Sequence, residues 1–273
     1  MKSRTYGFIA CLISVAVAGY FAFSHYEPIG EDNKKESEVV TTEVKTNEED
    51  EQALGFDKKM KECGLVDIHT IDREIGVELK YATTDNFVGK NMYGALKRAY
   101  FTQDFANRVA LAQKNLHKRY PNYNLLIYDA ARPISVQRTM RKMVEGTPLQ
   151  DFVADGKKGG RHNYGVAVDV TITDENGKPL DMGTGFDALE DASAVKGTSD
   201  NNDPSTRTVE VYVEFIRDMQ SKGVLTKEAA DNRILLISVM HEAGLYPYRR
   251  EWWHFELIDA MKDVRQKYRL LDF

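Results

Sequence analysis

Residues 161–173 of the chain read RHNYGVAVDVTIT, and this stretch carries the clearest structural signal in the sequence. From Val166 onward, branched apolar residues alternate with smaller or polar ones, which is the two-residue period of a β-strand. If the branched residues face the core, Asp169 points to the other side of the sheet, beside the glycine-rich turn that presents His162. The small side chain of Ala167 would leave room for a metal ion there. An ordinary turn histidine and an exposed aspartate fit this stretch equally well.

The sequence on both sides of this strand mixes strand and helix patterns. Short apolar or alternating runs predict further strands at residues 77–81, 124–128 and 252–257. Apolar residues at helical spacing predict a short closing helix and four longer helices at residues 102–120, 134–144, 205–221 and 226–242. Because strands and helices do not alternate regularly, we expect an α+β fold. It would be a single domain with a central antiparallel sheet flanked by helices and with the metal site at the sheet.

The N-terminal residues 1–26 have the pattern of a targeting segment. Lys2 and Arg4 precede residues 6–23, which carry no charge and are barely long enough to span a bilayer. The small residues at 16–18 form a site where a signal peptidase could cut. The segment therefore predicts either a cleaved signal peptide or an uncleaved membrane anchor. In both cases we expect the remaining chain to be exported, to the periplasm or the outer face of the membrane.

Charge divides the rest of the chain into two parts. Acids far outnumber lysines in residues 27–53, and few apolar residues are present there, so we expect a flexible tether. The folded domain is then expected at residues 54–273. The whole chain has a formal net charge of −5 and shows no basic stripe. This pattern excludes nucleic acid as a partner.

A second candidate site motif is the EWWH sequence at residues 251–254. In an ideal strand Glu251 and His254 face opposite sides, so we expect Glu251 to precede the regular pairing if both reach one site. A sheet-edge pair on a tryptophan-rich core strand has the same appearance. Taken together, His162, Asp169 and His254 supply three ligands for a tetrahedral zinc with one open position. Glu251 is then left over as a general base.

A third element is DAARP at residues 129–133. Arg132 follows the end of a predicted strand and precedes a proline that starts a helix, which fixes its position. A fixed guanidinium can stabilise the oxyanion of a tetrahedral intermediate. The alternative interpretation is a surface arginine paired with Asp129.

These motifs resemble those of the VanX-type D-alanyl-D-alanine dipeptidases, a branch of the zinc D-Ala-D-Ala peptidases. The wider family carries His-x(6)-Asp followed by Glu-x-x-His. The dipeptidase branch adds three more elements, which stand here at residues 81–89 (YATTDNFVG), 129–133 (DAARP) and 181–187 (DMGTGFD). The resemblance extends over residues 66–268. This chain departs from the family at Gly160, where many members have serine, and at Ala131, where many have tyrosine.

The resemblance implies zinc-dependent hydrolysis of the dipeptide D-alanyl-D-alanine, with one zinc per chain. By motif, His162, Asp169 and His254 bind zinc, and Glu251 is general base and then acid. Arg132 steadies the intermediate, and Asp187 is the candidate for binding the substrate ammonium. Combined with export, the resemblance indicates turnover or salvage of cell-wall peptides. The alternatives are a D,D-carboxypeptidase that trims peptidoglycan stem peptides and a non-catalytic zinc domain that binds peptidoglycan.

Overall fold

The computed structural model of the chain describes residues 48–196 and 207–273. The predicted targeting segment at residues 1–26, and with it the predicted membrane attachment, lies outside the described residues, as does most of the predicted tether. Among the residues that the structure describes, no helix combines the length and apolar character needed to cross a membrane.

The described residues form seven β-strands and six α-helices. The strands are β1 (Val66–Asp67), β2 (Gly76–Val77), β3 (Tyr100–Phe101), β4 (Asn124–Asp129), β5 (Ala167–Thr173), β6 (Tyr246–Pro247) and β7 (His254–Glu256). The helices are α1 (Glu48–Glu62), α2 (Gln103–Arg119), α3 (Ile134–Val144), α4 (Val209–Ser221), α5 (Lys227–Glu242) and α6 (Met261–Lys267). Strands and helices are interleaved without regular alternation, so the predicted α+β fold is confirmed.

Five of these strands form the central sheet, in the order β2-β4-β5-β7-β6. Four of them pair antiparallel, whereas the edge strand β2 lies parallel to β4. A parallel pair requires a long crossover, and the chain between β2 and β4 indeed contains β3 and α2. The sheet is therefore antiparallel at its centre, as predicted, and becomes mixed through the parallel strand at this edge.

Strand β5, which the pattern of residues 161–173 predicts, lies in the middle of the sheet and is buried along its whole length. Its two edges are paired, one with β4 and the other with β7. Val168, Val170 and Ile172 are fully buried, and Asp169, which points to the opposite face, is only 3% exposed. With both edges paired, β5 holds the Asp169 carboxylate in a fixed position.

The helices predicted from apolar spacing agree closely with the structure. Helices α2, α3 and α5 begin and end within a residue of the predicted bounds. Helix α4 begins at Val209, and residues 205–206 of its predicted first turn lie outside the described residues. Strand β7 is shorter than predicted because residues 252–253 form a turn before it.

The segment at residues 77–81 differs more from its prediction. Only its first residue belongs to a strand, the end of β2, and Lys80–Ala82 forms a 3₁₀ turn. Leu79 and Tyr81 are both buried. The alternation of apolar residues there reflects burial of side chains in the core and not strand pairing.

Helix α1 begins at Glu48, before the expected start of the domain at residue 54. Acidic residues occupy its first turn, where they interact favourably with the helix dipole. Ala53 packs into the core, and Gln52 Nε2 donates a hydrogen bond to the backbone oxygen of Met92 at 3.1 Å. Residues 48–53, which the sequence assigns to the tether, are thus part of the folded domain. Their acidic side chains are favourable at a helix N-terminus, so acidity alone does not indicate a flexible tether there.

Candidate active site

The three predicted metal ligands meet at the end of β5 where the chain enters it. Asp169 lies within β5 and pairs in register with His254, the first residue of β7. His162 lies in the 3₁₀ turn Arg161–Tyr164, which leads into β5. A donor atom from each of the three side chains lies within 4.8 Å of the other two. Together they could hold a metal ion.

The hydrogen bonds of the two histidines leave the correct nitrogens free for a metal. His162 Nδ1 lies 2.7 Å from the backbone oxygen of Ala130, to which it donates, so Nε2 keeps its lone pair. His254 Nε2 lies 3.3 Å from Glu256 Oε2, so Nδ1 is the nitrogen that faces Asp169 and would bind a metal in the deprotonated ring. These two nitrogens lie 3.3 and 3.0 Å from Asp169 Oδ1 and 3.2 Å from each other. Metal-binding histidines are typically oriented in this way, by a hydrogen bond from the other ring nitrogen.

Electrostatics in this cluster favour a positive charge. Burial lowers the pKa of His254, but hydrogen bonds to Asp169 and Glu256 outweigh burial and raise the pKa to about 10. Burial raises the pKa of Asp169, but the charges of His162 and His254 and their hydrogen bonds outweigh it and lower the pKa. The carboxylates thus stabilise positive charge at this cluster, as they would the charge of a bound metal ion.

Glu251 lies beside this cluster, as the sequence predicts, in the turn before β7. Its Oε2 is 4.0 Å from His254 Nδ1, and its side chain is 12% exposed. Burial raises the pKa of Glu251 to about 7, and the negative charge of Asp169 contributes in the same direction. A carboxyl group with a pKa in this range can both accept and donate a proton near neutral pH.

Arg132 is buried, and it is also paired with Asp129. Its Nε and Nη2 both donate to Asp129 Oδ2, and its Nη1 donates to Gln137 Oε1 at 2.8 Å. Nη2 lies 3.9 Å from Asp169 Oδ2, so the guanidinium borders the three candidate metal ligands His162, Asp169 and His254, which we call the metal cluster. Arg132 is therefore paired with Asp129, as the alternative interpretation expected, but the pair is buried and does not lie at the surface.

Asp187 lies in an irregular segment and has a backbone φ of 60°, which is uncommon for a residue other than glycine. Its carboxylate accepts hydrogen bonds from the Tyr81 hydroxyl at 3.1 Å and from the Phe87 amide at 3.3 Å. Burial raises the pKa of Asp187 well above its usual range, and the charge of Asp169 adds to the shift. Without a cation beside it, this carboxyl group therefore favours its neutral form.

One cavity joins all of these groups. It has a volume of about 300 Å³, and it is lined by the six residues predicted from the sequence: Arg132, His162, Asp169, Asp187, Glu251 and His254. Several aromatic side chains complete its walls. A volume at the low end of ligand pockets fits a small molecule.

Three residues that shape the site are not evident from the sequence motifs. Glu256 orients His254, Gln137 holds Arg132, and the Tyr93 hydroxyl donates to Asp129 at 2.7 Å. Glu256 could have been found, because residues two apart on a strand share a face. Gln137, five residues after Arg132, and Tyr93, 36 residues before Asp129, meet these partners only through the packing of the fold, so neither carries a sequence signal.

Comparisons with known proteins agree with the motifs. The family described as D-ala-D-ala dipeptidase matches residues 61–271. The D-alanyl-D-alanine dipeptidase of Escherichia coli K12 is 32% identical over 196 residues, which cover 72% of this chain and 86% of that protein. The D-alanyl-D-alanine dipeptidase of Enterococcus faecalis V583 is 27% identical over 199 residues, covering 67% and 85%. That of Enterococcus faecium is 25% identical over 217 residues, covering 72% and 93%.

The family match spans most of the chain and includes every residue of the cavity. The family that the sequence motifs predict is therefore confirmed. This chain belongs to the D-ala-D-ala dipeptidase family.

Proposed function

We propose that this protein is a zinc-dependent dipeptidase that hydrolyses D-alanyl-D-alanine to free D-alanine. The observation that carries the proposal is the convergence of two imidazole nitrogens and one carboxylate oxygen beside a buried glutamate in one small cavity. Relatives named D-alanyl-D-alanine dipeptidase, at 25–32% identity over most of the domain, support the substrate.

His162 Nε2, Asp169 Oδ1 and His254 Nδ1 are the proposed ligands of the zinc ion. Two imidazole nitrogens and one carboxylate oxygen are a donor set typical of catalytic zinc sites, in which a fourth position stays open for water or substrate. Zinc bound in this way lowers the pKa of its water to about 7 and polarises a carbonyl oxygen. Glu256 would keep the His254 ring in the orientation that presents Nδ1.

Glu251 is the proposed general base and acid. Its carboxylate would take the proton from the attacking water and then deliver it to the departing amine of the second D-alanine. Burial supports this role by raising the pKa of Glu251 to about 7, and a cation bound beside it shifts the group toward the ionised form that a base requires.

Arg132 is proposed to stabilise the negative charge that develops on the scissile carbonyl oxygen. The guanidinium is held by Asp129 and Gln137, so it needs no reorganisation during the reaction. The nearby carboxylates raise its pKa further and more than offset burial, so it stays charged.

Asp187 is proposed to bind the ammonium group of the dipeptide. In the absence of a ligand, burial raises the pKa of its carboxyl group, and a bound ammonium would restore the charged form. An aspartate held in this position requires a substrate with a free N-terminus close to the scissile bond. This requirement favours a dipeptide over the stem of a peptidoglycan chain.

We also propose that the protein acts outside the cytoplasm, on peptides released from the cell wall. The charge pattern of residues 1–26 supports export, and an exported enzyme meets the products of wall turnover. Attachment to the membrane depends on whether this segment is cleaved.

The proposed function is tested by giving the purified protein free D-Ala-D-Ala and, separately, a peptidoglycan pentapeptide that ends in D-Ala-D-Ala. We expect release of D-alanine from the dipeptide and little from the pentapeptide. Preference for the pentapeptide would identify a D,D-carboxypeptidase, and binding of zinc without hydrolysis of either would identify a non-catalytic domain.

A further inference from the structure

A dipeptide carries two opposite charges, and the proposed function accounts for only one of them. Asp187 is assigned to the ammonium, but the C-terminal carboxylate also enters the cavity when D-Ala-D-Ala binds. Desolvating a carboxylate without a partner is costly, so a cation is expected to meet it. Among the described residues that line the cavity, the permanently charged cations are Arg132 and Arg161.

Arg132 is already committed to other groups. Each of its three nitrogens has a protein acceptor, in Asp129 or Gln137, and its Nη2 also lies near Asp169. Asp129 and the nearby Asp169 largely balance its charge, and its two remaining N–H groups are those proposed to meet the scissile carbonyl oxygen.

Arg161 differs because its charge is only partly balanced. Its Nε lies 2.8 Å from Glu256 Oε2, but Glu256 also accepts from Arg207 Nη2 at 3.2 Å and faces His254 Nε2. A single carboxylate is thus shared by two guanidinium groups. In addition, Arg161 Nη1 is buried and has no hydrogen-bond partner among the described residues. A guanidinium carries five N–H donors, so this one has donors left for a carboxylate.

The position of Arg161 also fits the polarity of the substrate. The hydroxyl partner of Asp187 is Tyr81, which follows β2, whereas the carboxylate partner of Arg161 is Glu256, in β7. In the sheet order, β2 and β7 lie on opposite sides of β5, which carries Asp169. Asp187 is therefore tied to the β2 side of the sheet and Arg161 to the β7 side, with Asp169 on the strand between them, an arrangement that suits the two ends of a dipeptide.

We propose that Arg161 binds the C-terminal carboxylate of the substrate and so determines specificity for free peptides over C-terminally blocked ones. This inference rests on the proposed function and deepens it, since it names the second charge that the site recognises. Glu256 would hold Arg161 in place through Nε, and the remaining N–H groups would meet the carboxylate.

The test compares kcat/KM for D-Ala-D-Ala and for D-alanyl-D-alaninamide, in which a neutral amide replaces the carboxylate. The proteins are the unmodified enzyme, Arg161→Met, Arg161→Lys and the matched control Arg265→Met, which removes an exposed arginine of α6. Bound zinc is measured for each protein, so that damage to the metal site is seen separately.

We expect the unmodified enzyme and the control to prefer the free acid by about 10²–10³-fold, the range for a desolvated charge pair. Arg161→Met should lose this preference, mainly through a higher KM for the acid, while its turnover of the amide changes little. Arg161→Lys keeps the charge but not the planar fork, so it should retain part of the preference.

Equal losses for acid and amide in Arg161→Met would mean that Arg161 only supports the structure, and the proposal would be overturned. If the unmodified enzyme cleaves both substrates equally well, the proposal fails without reference to any variant, and the dipeptidase function stands. If it cleaves neither, the proposed function itself fails, and this inference fails with it.

Discussion

The metal cluster and the Asp187 segment line the same cavity, but they are built in different ways. At the metal cluster, Asp169 and His254 face each other across the paired strands β5 and β7, so backbone hydrogen bonds fix their separation. Asp187 lies in an irregular segment with a backbone φ of 60°, and side-chain and backbone contacts from Tyr81 and Phe87 hold it. Two of the proposed metal ligands thus lie on rigid, paired strands, while the group proposed to select the substrate lies on a loop.

The two regions should therefore respond differently to mutation. Changes at the paired strands should abolish the reaction for every substrate, because they remove the metal or its water. Changes at Asp187 should leave the reaction intact and alter which substrates are accepted.

Replacing a metal ligand should have the largest effect. We expect His162→Ala or His254→Ala to lose the zinc and all measurable dipeptidase activity, since two remaining ligands hold zinc poorly. Zinc content is measured by atomic emission on the purified protein, together with D-alanine release. The control is His69→Ala, because His69 lies outside the cavity and bonds to the Ile75 backbone oxygen. A ligand variant with full zinc and normal activity would contradict the assignment.

Replacing the base should stop turnover while the metal remains. Glu251→Ala is expected to bind zinc normally, but its kcat should fall by about 10²–10⁴-fold, the usual contribution of a general base. Glu145→Ala, an exposed glutamate at the end of α3, serves as the matched control and should change nothing. If Glu251→Ala lost zinc as well, Glu251 would belong to the metal ligands and would not be a separate base.

Replacing Arg132 should lower kcat more than it raises KM, by about 10²–10³-fold, if it stabilises the oxyanion. Arg132→Ala also leaves the buried Asp129 without its charged partner, at a cost of about 3–5 kcal/mol in stability. Arg132→Lys, which keeps the charge, is therefore measured beside it, with thermal unfolding of both. An effect confined to KM would instead assign Arg132 to binding of the ground state.

Replacing Asp187 should have the smallest effect on the reaction and the clearest effect on selectivity. The unmodified enzyme is expected to prefer D-Ala-D-Ala over its N-acetyl derivative by about 10–10³-fold, because acylation leaves a buried carboxylate without its ammonium partner. Asp187→Asn should reduce this preference and keep the zinc. Equal cleavage of blocked and free dipeptides by the unmodified enzyme would favour a carboxypeptidase.

The same contrast explains what the sequence could predict. Strand β5 and helix α3 carry strong local signals, because periodicity follows directly from strand and helix geometry. The three proposed metal ligands stand out only when their motifs are taken together. The parallel edge strand β2 carries no such signal, since strand direction depends on the path of the crossover. The alternating apolar residues at 77–81 likewise do not show whether the side chains are buried in the core or belong to a paired strand.

Within the site, the sequence identified the groups but not their surroundings. The pairing of Asp129 with Tyr93 joins segments that meet only in the folded protein, and the pairing of Arg132 with Gln137 depends on how the two side chains are oriented in it. The charge sharing around Glu256 depends in the same way on Arg161 and Arg207, which lie far apart in the sequence. The pKa shifts that suit Glu251 to its role arise from this packing, because burial is their main cause.

The most direct test of zinc-dependent dipeptide hydrolysis is a zinc titration of the metal-free protein, with D-alanine release from D-Ala-D-Ala as the readout. We expect no activity before zinc is added, a linear rise with added zinc, and saturation at one zinc per chain. Full activity in the metal-free protein, or no hydrolysis of D-Ala-D-Ala at one bound zinc per chain, would contradict the assignment of His162, Asp169 and His254 as a catalytic zinc site.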